Sequence, residues 1–511
     1  MNGEALFSLA LYFILMMAIG YYAYRKSTDD VSGYMLGGRQ LHTAVGALSA
    51  GASDMSGWML LGLPGAVYVS GLSSAWIAVG LTIGAYLNYR FVAPRLRVYT
   101  EKADDAITIP DFFEKRLKDD SRMLRVLSSV VIIIFFTLYT SAGIVAGGLL
   151  FEASFGLDYR LGLFITAGVV VAYTLFGGFL AVSLTDFVQG VIMFIALILV
   201  PIVALQSLGG FEASTATLNE IDPTLTKMLS GVSLVGIISS ASWGLGYFGQ
   251  PHIIVRFMAI RSLPDVKIAR WIGMSWMLIT VIGAVATGLF GLAYVSANTL
   301  TLDDPETIFI MLSQVLFHPL IAGFLLAAIL AAIMSTISSQ LLVSSSSLTE
   351  DFYKTFVRRG ASQNELVLVG RASVFGVSLV AIALAFDRSN SILSLVSNAW
   401  AGFGAAFGPL ILLSLFWKGL TRAGALAGMV AGAGVVLFWI YAPVGPDGAA
   451  LSASFYEMIP GFAAGMLTTV VVSALSKDPS RRVQEQHEEV EAIIADHEGG
   501  RSAEGAAASP A

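Results

Sequence analysis

The sequence predicts an all-α polytopic membrane protein whose core is an inverted repeat of two five-helix units. Three observations lead to this fold class. Only 13% of the 511 residues are charged and 56% are apolar, whereas soluble domains carry charge on about a quarter of their residues. Apolar segments of about 20 residues, long enough to cross a bilayer as helices, recur along the chain. Two of them, five segments apart, are interrupted by small residues and proline in similar ways.

Thirteen segments meet the length criterion for a membrane span. Each contains a run of about 20 mostly apolar residues. The predicted spans cover residues 4–24, 43–70, 72–93, 126–151, 160–182, 186–207, 229–248, 271–296, 318–346, 364–386, 391–416, 423–443 and 454–476.

Lys and Arg set the orientation, because positively charged loops stay on the cytoplasmic side. With the N-terminus outside, all but three of the 29 Lys and Arg residues fall on the cytoplasmic side. The exceptions are Arg160, Lys227 and Arg388. The loop 249–270, which carries Arg256, is then cytoplasmic. The predicted topology is therefore N-out and C-in.

The order of the spans suggests six parts of the chain. The N-terminus lacks the basic region of a cleaved signal peptide, so the first apolar segment is expected to remain as a span. The tail is acidic and ends in Gly, Ser and Ala, so we expect it to be disordered, with one surface helix as the alternative. The parts are the first span and its cytoplasmic loop (1–42), a first repeat of spans 2–6 (43–207), an outside loop (208–228), a second repeat of spans 7–11 (229–416), two additional spans (417–476) and the cytoplasmic tail (477–511).

The second span carries an acid in a weakly helical stretch, and the rest of the prediction depends on it. Asp54 lies in Ala50-Gly51-Ala52-Ser53-Asp54-Met55-Ser56-Gly57-Trp58, followed by Leu63-Pro64-Gly65. A carboxylate at membrane depth usually faces a cavity or a partner. Unwound backbone is tolerated there only where protein or water satisfies it. The stretch therefore predicts a binding site at a broken helix. The alternative is a proline-kinked helix whose acid pairs with a distant arginine.

The seventh span repeats this pattern. Residues 239–251 contain hydroxyl residues, then Trp243-Gly244, then Gly249-Gln250-Pro251. Paired interrupted spans in the two halves of a chain indicate an inverted-repeat transporter. Five spans separate them, so the two units begin in opposite directions. Helix C-terminal ends and free carbonyls at such breaks suit Na+, and N-terminal ends suit a carboxylate.

Three further groups of residues are candidates for the same site. Ser335, Ser338 and Ser339 share one face of the ninth span, where hydroxyls either form a cation site or bond back to their own helix. Asp186 after Thr185 is either a helix N-cap or a second cation ligand. Aromatic side chains in the spans are either packing residues or the lining of a cavity. These are Tyr139, Trp243 and Tyr247.

Four stretches together resemble the sodium/solute symporter family, and more closely its bacterial sodium/proline symporter branch. They are Asp54–Trp58, Thr185–Gln189, Trp243–His252 and Ala332–Thr336, and the resemblance covers about residues 1–476. It implies the leucine-transporter-like fold and Na+-driven uptake of L-proline by alternating access. It also implies a multi-pass protein of the bacterial inner (plasma) membrane. Na+, L-proline and the lipid bilayer are then the partners.

The resemblance also implies the site residues. Asp54 is implied in Na+ coupling, and Asp186 with Ser338 and Ser339 in a possible second Na+ site or exit path. The implied Na+ site consists of backbone oxygens of Ala52, Met55 and Ala332 and the hydroxyls of Ser335 and Thr336. The implied substrate site consists of Ser56, Gly57, Tyr139, Trp243, Tyr247 and Pro251.

Other classes of protein fit the sequence less well. The absence of cysteine excludes a disulfide framework and thiolate metal sites, and the five histidines are scattered. No catalytic motif indicates an enzyme, no filter sequence indicates a channel, and nothing indicates nucleic-acid binding. The alternatives that stay open are a proton-coupled symporter and a sodium-coupled symporter for another amino acid or small solute.

Overall fold

Helices form the secondary structure of the computed structural model, which describes residues 3–26, 31–39, 41–387, 391–445, 448–477 and 479–507. Within these ranges no strand is present beyond an isolated bridge between Leu41 and Ile260. The predicted all-α class is therefore confirmed. The helices are α1 (Gly3–Lys26), α2 (Val31–Leu36), α3 (Thr43–Asp54), α4 (Leu63–Ser70), α5 (Ala75–Leu87), α6 (Ala93–Lys102), α7 (Ile109–Leu117), α8 (Met123–Phe155), α9 (Tyr159–Ser207), α10 (Phe211–Ile221), α11 (Leu234–Ala241), α12 (Pro251–Ala259), α13 (Leu263–Ala297), α14 (Ile308–Leu316), α15 (Pro319–Ser346), α16 (Gln363–Leu384), α17 (Ile392–Phe416), α18 (Arg422–Tyr441), α19 (Met458–Leu475) and α20 (Arg481–Ala507).

Ten helical segments in the described ranges are long and apolar enough to cross a membrane. Three shorter apolar segments accompany them, at Tyr159–Leu175, Leu234–Gly249 and Pro305–Leu316. The chain is therefore a multi-pass membrane protein. The count of thirteen spans stays a prediction, because it depends on counting interrupted and shorter segments as crossings. Among the ten, the segments that contain α15 and α17 are the most enclosed by protein, and α1 and α19 are the least.

The interruption predicted in the second span lies at residues 55–57. Gly and Ser hold a helix weakly, and α3 ends at Asp54. Met55 then leaves the helical region, with φ −79° and ψ 72°. A π-helical turn, Trp58–Gly62, follows and leads into α4. The N–H of Ser56 turns to Asp54 O at 2.9 Å, so the carbonyl of Ala52 loses its regular helical partner.

The seventh span is interrupted at Gln250. After α11, residues Ser242–Gly249 form a 3₁₀ segment, and Gln250 is extended with φ −82° and ψ 106°. Proline disfavours the helical conformation in the residue before it and is well placed at the first position of a helix. Pro251 therefore explains both the break and the start of α12. The 3₁₀ segment packs so closely on α5 that a methyl group added at Gly84 would collide with the Gly244 carbonyl oxygen.

The fifth and sixth spans differ from the predicted bounds. The range given as α9 contains two helices that meet at Gly178, whose φ of 56° and ψ of −150° are not helical, so the break lies earlier than the predicted one at residues 183–185. Asp186 therefore lies two turns inside the second part of α9. The N-cap interpretation of Asp186 is wrong, because a helix cap must lie at the first turn.

The two ends of the helical bundle differ in charge. One end, which we call the basic end, carries Arg39, Arg95, Arg97 and Lys102. Its segments are joined by ion pairs and by hydrogen bonds from arginine side chains to backbone carbonyl groups. Arg97 Nε donates to Ile260 O at 2.6 Å, and Arg39 Nη1 to Met258 O at 2.7 Å. Contacts at the opposite end include Leu72 N to Leu225 O at 2.8 Å and Ile392 N to the Glu306 carboxylate at 2.9 Å.

The tail forms helix α20, whereas the sequence led us to expect disorder with a surface helix as the alternative. Val483, Val490 and Ile494 are buried against the basic end. Arg95 pairs with Glu491 at 2.9 Å, and Lys102 with Glu489 at 2.5 Å. Composition alone missed this contact because the acidic residues that suggested disorder face basic residues of the membrane part. Val483, Val490 and Ile494 repeat at helical spacing, so they form one apolar face that packs α20 against the protein.

Candidate functional site

Four oxygen atoms meet where the end of α3 contacts the middle of α15. The hydroxyl of Ser335 lies 2.7 Å from Ala52 O and 3.1 Å from Ala332 O. The hydroxyl of Thr336 lies 3.2 Å from Ala332 O. All four residues are buried. The structure thus brings together four of the five residues implied for Na+, and Met55 caps α3 beside them.

The chemistry of this oxygen cluster suits a small cation. The Ala52 carbonyl has lost its helical partner at the break and accepts from the Ser335 hydroxyl instead, so its oxygen is directed at α15 rather than along its own helix. The negative end of the α3 dipole points to the same place. Hydroxyl and carbonyl oxygens are hard ligands of the kind that hold Na+ at broken membrane helices. The cluster contains no ionised group, so a cation here would be held by oriented dipoles and by the charge of Asp54, which lies on the same last turn of α3.

Asp54 faces the second broken span. Its carboxylate accepts a hydrogen bond from the hydroxyl of Tyr247. In the part of the chain that the structure describes, this is its side-chain partner, and no Lys or Arg pairs with it. The second carboxylate oxygen has no hydrogen-bond partner and faces a small cavity with Asn88 and Tyr89. Asp54 therefore connects the two interrupted helices, and the alternative of a distant arginine partner is wrong.

Aromatic side chains line a cavity that opens toward the opposite end of the bundle. Trp243 stacks on Tyr456 with ring centroids 5.5 Å apart, and both line a cavity of about 560 Å³. Tyr247 lies deeper, edge-on to Trp400 at 5.2 Å. The indole of Trp400 donates to Trp243 O at 2.8 Å. Gly246 permits this approach, because a methyl group there would collide with the Trp400 ring.

The other predicted substrate residues surround the two breaks. Tyr139 is fully enclosed, lies beside Ser56 and packs edge-on against His252 at 6.0 Å. Pro251 is buried at the start of α12. Gly57 lies where a side chain would press against Ala146, 3.0 Å away. The structure thus places all six predicted residues at or next to the interruptions.

The second group of predicted cation residues is arranged around an arginine. Arg256 Nη2 lies 3.1 Å from Asp186 Oδ2 and 2.5 Å from Ser339 Oγ. Ser49 Oγ donates to the same Asp186 oxygen at 2.7 Å. Ser338 is outside this group, since its hydroxyl donates to Ser335 O at 3.0 Å. The implied second Na+ site stays a prediction.

Sequence reasoning missed several residues of this region. It assigned Arg256 to a basic loop, but the side chain is 1% exposed inside α12. A buried charge is costly unless it is paired, and Asp186 supplies the counter-charge of Arg256. The flanking Ile253, Ile254, Val255, Phe257 and Met258 were the available signal, because an arginine within such an apolar run is seldom in a loop. Ser49, Trp400 and Tyr456 gave no comparable local signal.

A buried oxygen cluster and an aromatic cavity at two broken membrane helices define an ion-coupled transporter. A profile of the Sodium:solute symporter family matches residues 34–432. The chain belongs to this family.

Several curated relatives are similar over nearly their whole length. The high-affinity proline transporter PutP of Bacillus subtilis (strain 168) is 59% identical over 471 residues, or 92% of this chain and 98% of that protein. The osmoregulated proline transporter OpuE of the same strain is 58% identical over 481 residues, or 94% and 96%. The sodium/proline symporter of Staphylococcus aureus (strain JH9) is 56% identical over 498 residues, or 96% and 97%.

Two solved structures have the same arrangement of helices. A Na+-coupled sialic acid symporter in a substrate-bound outward-open state superimposes with a TM-score of 0.79 at 19% identity, covering 94% of this chain and 99% of that one. A transporter of the nucleobase-cation-symport-1 family in a closed conformation gives a TM-score of 0.54 at 14% identity, covering 89% and 98%. At these identities the similarity shows the fold alone.

Proposed function

We propose that this protein couples inward Na+ flow to the uptake of L-proline across the bacterial plasma membrane. The observation that carries the proposal is the oxygen cluster of Ala52, Ala332, Ser335 and Thr336 at the broken end of α3. Family membership and the names of the relatives from Bacillus and Staphylococcus support Na+ and proline as the coupled pair.

Na+ would link the two parts of the protein that move relative to each other. Ala52 lies on an interrupted helix, and Ser335 and Thr336 lie on α15, one of the two most enclosed helices. An ion bound between them stabilises only those conformations in which these oxygens converge. Ligands shift a conformational equilibrium by their differential affinity for its states. Na+ would therefore favour the state that binds proline.

L-proline suits the aromatic cavity at the second broken span. Its ring is apolar and compact, which fits the cavity lined by Trp243 and Tyr456, and Tyr139 and Tyr247 are buried at the two breaks. The breaks at Ser56–Gly57 and before Pro251 expose backbone groups for its charged ends, because helix termini leave N–H and C=O groups unpaired. The substrate would thus contact both interrupted helices.

The proposal includes a membrane arrangement. Spans 2–6 and 7–11 form two inverted repeats, with the N-terminus outside and the tail in the cytoplasm, in thirteen spans. The charge of the basic end supports this orientation. The cavity near Trp243 would then open to the outside, and proline and Na+ would enter there and leave at the basic end.

Uptake into proteoliposomes tests the proposal. We expect labelled L-proline to accumulate under an inward Na+ gradient and not under K+ at equal pH. Ser335→Ala removes one oxygen of the cluster, and the loss of about 1–2 kcal/mol corresponds to a roughly 5- to 30-fold higher Na+ requirement. Ser345→Ala is the matched control. It removes a buried hydroxyl of the same helix that donates to Gly370 O at 2.7 Å, away from the cluster.

The alternatives give different results in the same assay. A proton-coupled symporter would take up proline in K+ when a pH gradient is imposed. A sodium-coupled symporter for another solute would show Na+-dependent uptake of that solute but none of proline. If Ser335→Ala and Ser345→Ala need the same Na+ concentration for half-maximal uptake, the oxygen cluster is not the Na+ site.

A further inference from the structure

A groove at the basic end of the bundle brings basic side chains next to exposed aromatic rings. It has a volume of about 310 Å³ and lies between the turn Asn88–Val92 after α5, the first turns of α13 and the tail helix α20. Small-molecule sites have volumes of about 300–1,000 Å³, so the groove is large enough for a small polar group. The charged side chains of its lining are Arg90, Lys267, Arg270 and Glu498.

The lining of the groove carries an excess of positive charge. Among the described residues that line it, and apart from His497, three basic side chains face one carboxylate. Glu498 Oε1 lies 2.8 Å from Arg90 Nη1, and both side chains are partly exposed, so this ion pair is weak. Lys267 and Arg270 are three residues apart on α13 and therefore share a face. An anion that enters the groove would meet both of them together.

The same basic side chains lie against aromatic rings on the outer surface. The guanidinium of Arg270 is 5.9 Å from the ring centre of Tyr86 and 6.0 Å from that of Trp271. Tyr86 is also exposed, and Trp271 is 63% exposed. Aromatic side chains concentrate at the level of the lipid headgroups in membrane proteins. The groove therefore lies at the boundary between membrane and water.

Apolar surface continues from these rings toward the middle of the bundle. Ile83 lies one turn from Tyr86 on α5, and Leu278 lies two turns from Trp271 on α13. Both aliphatic side chains are exposed. In a multi-pass membrane protein such a surface faces acyl chains. A molecule that fits the whole region thus has an anionic group at one end and a long apolar part at the other.

From this arrangement we propose that the groove binds the phosphodiester headgroup of an anionic phospholipid, whose acyl chains lie along α5 and α13. Basic pockets between membrane helices on the cytoplasmic side bind such headgroups. Lys267 and Arg270 would donate charge-assisted hydrogen bonds to the phosphate oxygens. The inference does not depend on Na+ or proline. Only its assignment to the cytoplasmic leaflet rests on the proposed orientation.

The net charge of the lining favours a lipid of net negative charge over a zwitterionic one. A soluble phosphate compound shares the headgroup chemistry but would leave the apolar surface beside the groove unused. These two contrasts, anionic against zwitterionic and lipid against soluble headgroup, are what the experiment has to separate.

Native mass spectrometry of the purified full-length protein measures the binding. The protein in detergent is titrated with phosphatidylglycerol or with phosphatidylcholine of the same acyl chains. We expect the wild type to bind one phosphatidylglycerol roughly tenfold more tightly than phosphatidylcholine. The double change Lys267→Gln with Arg270→Gln should weaken phosphatidylglycerol binding roughly 30-fold, because each basic residue near an anionic headgroup contributes about a factor of five.

The matched control is the double change Lys118→Gln with Arg358→Gln. It removes the same charge from two exposed side chains of other predicted cytoplasmic loops and should leave the affinity unchanged. Glu498→Gln removes the carboxylate of the lining and should tighten phosphatidylglycerol binding severalfold. Because misfolding does not raise affinity, this variant decides the question even where the first double variant does not fold.

Four results would overturn the inference. The wild type binds the two lipids equally, or the groove variant and the control variant bind phosphatidylglycerol equally. Glu498→Gln binds phosphatidylglycerol no more tightly than the wild type. Glycerophosphoglycerol, which is the same headgroup without acyl chains, binds as tightly as the lipid, and the groove is then a site for soluble anions.

Discussion

Replacing Tyr247 by Phe tests whether the hydrogen bond between the two interrupted helices matters for transport. The Tyr247 hydroxyl donates to Asp54, and both side chains are buried. The change removes one oxygen atom and keeps the ring, so the edge-on contact with Trp400 is retained. Asp54 would then lose its side-chain donor in a low-dielectric environment.

The size of the expected effect follows from the kind of hydrogen bond that is lost. A hydrogen bond to a charged group contributes about 1.5–3 kcal/mol, which corresponds to roughly 10- to 150-fold in an equilibrium constant. The bond joins the two helices whose breaks form the proposed site. We therefore expect most of this loss to appear as weaker proline binding at saturating Na+, with a smaller fall in thermal stability.

Tyr89→Phe is the matched control for this prediction. Tyr89 lines the same small cavity as Asp54, but its hydroxyl has no hydrogen-bond partner. Equilibrium binding of labelled proline to purified protein measures both variants side by side. If the dissociation constant for proline of Tyr247→Phe lies within about threefold of that of Tyr89→Phe, the proposed link between the helices is refuted.

The remaining predictions concern packing and the tail. Gly84→Ala should lower the melting temperature, since the methyl group meets the Gly244 carbonyl and overpacking costs about 1–3 kcal/mol; Gly376→Ala, with open space around the new methyl group, is the control. Glu491→Gln, which adds no trypsin site, should expose the tail to trypsin, and high salt should do the same to the wild type, because the pair with Arg95 is partly exposed. Burial lowers the pKa of His487, so the docked tail favours the neutral imidazole. Docking should be strongest above about pH 6.5 and weaken as the pH falls, and His487→Gln should remove that dependence in the same trypsin assay.

The broken helices could be predicted because their causes are local. Gly, Ser and Pro weaken helices wherever they occur, and the stretches around Asp54 and before Pro251 concentrate them. The structure places the interruptions at residues 55–57 and at Gln250. The bounds of α9 could not be predicted in the same way. Its break at Gly178 depends on a single positive φ angle, and the Gly177-Gly178 pair there lacks the proline that follows each of the other two breaks.

Partners across the bundle were not predictable from the sequence. Tyr247 and Asp54 are 193 positions apart, and Arg256 and Asp186 are 70 apart. Composition indicates that a buried charge needs a partner, but only the packing of helices decides which partner it meets. The tail was an intermediate case. Its buried residues Val483, Val490 and Ile494 lie on one helical face, a pattern that the acidic composition obscured.

Asp54 and Asp186 have opposite electrostatic environments, and this difference would explain how the proposed cation site could depend on a carboxylate that does not bind the ion. Asp186 is neutralised by Arg256 at 3.1 Å. Asp54 has a phenol as its partner and no cation among the described residues. It shares the last turn of α3 with Ala52, so Na+ bound at the Ala52 oxygen would supply the missing charge. At an effective dielectric constant near 20, opposite charges a few ångströms apart gain about 2–4 kcal/mol. Because Tyr247 holds the same carboxylate, Na+ binding would also favour the position of the seventh span that shapes the aromatic cavity, and ion and solute would each strengthen the binding of the other.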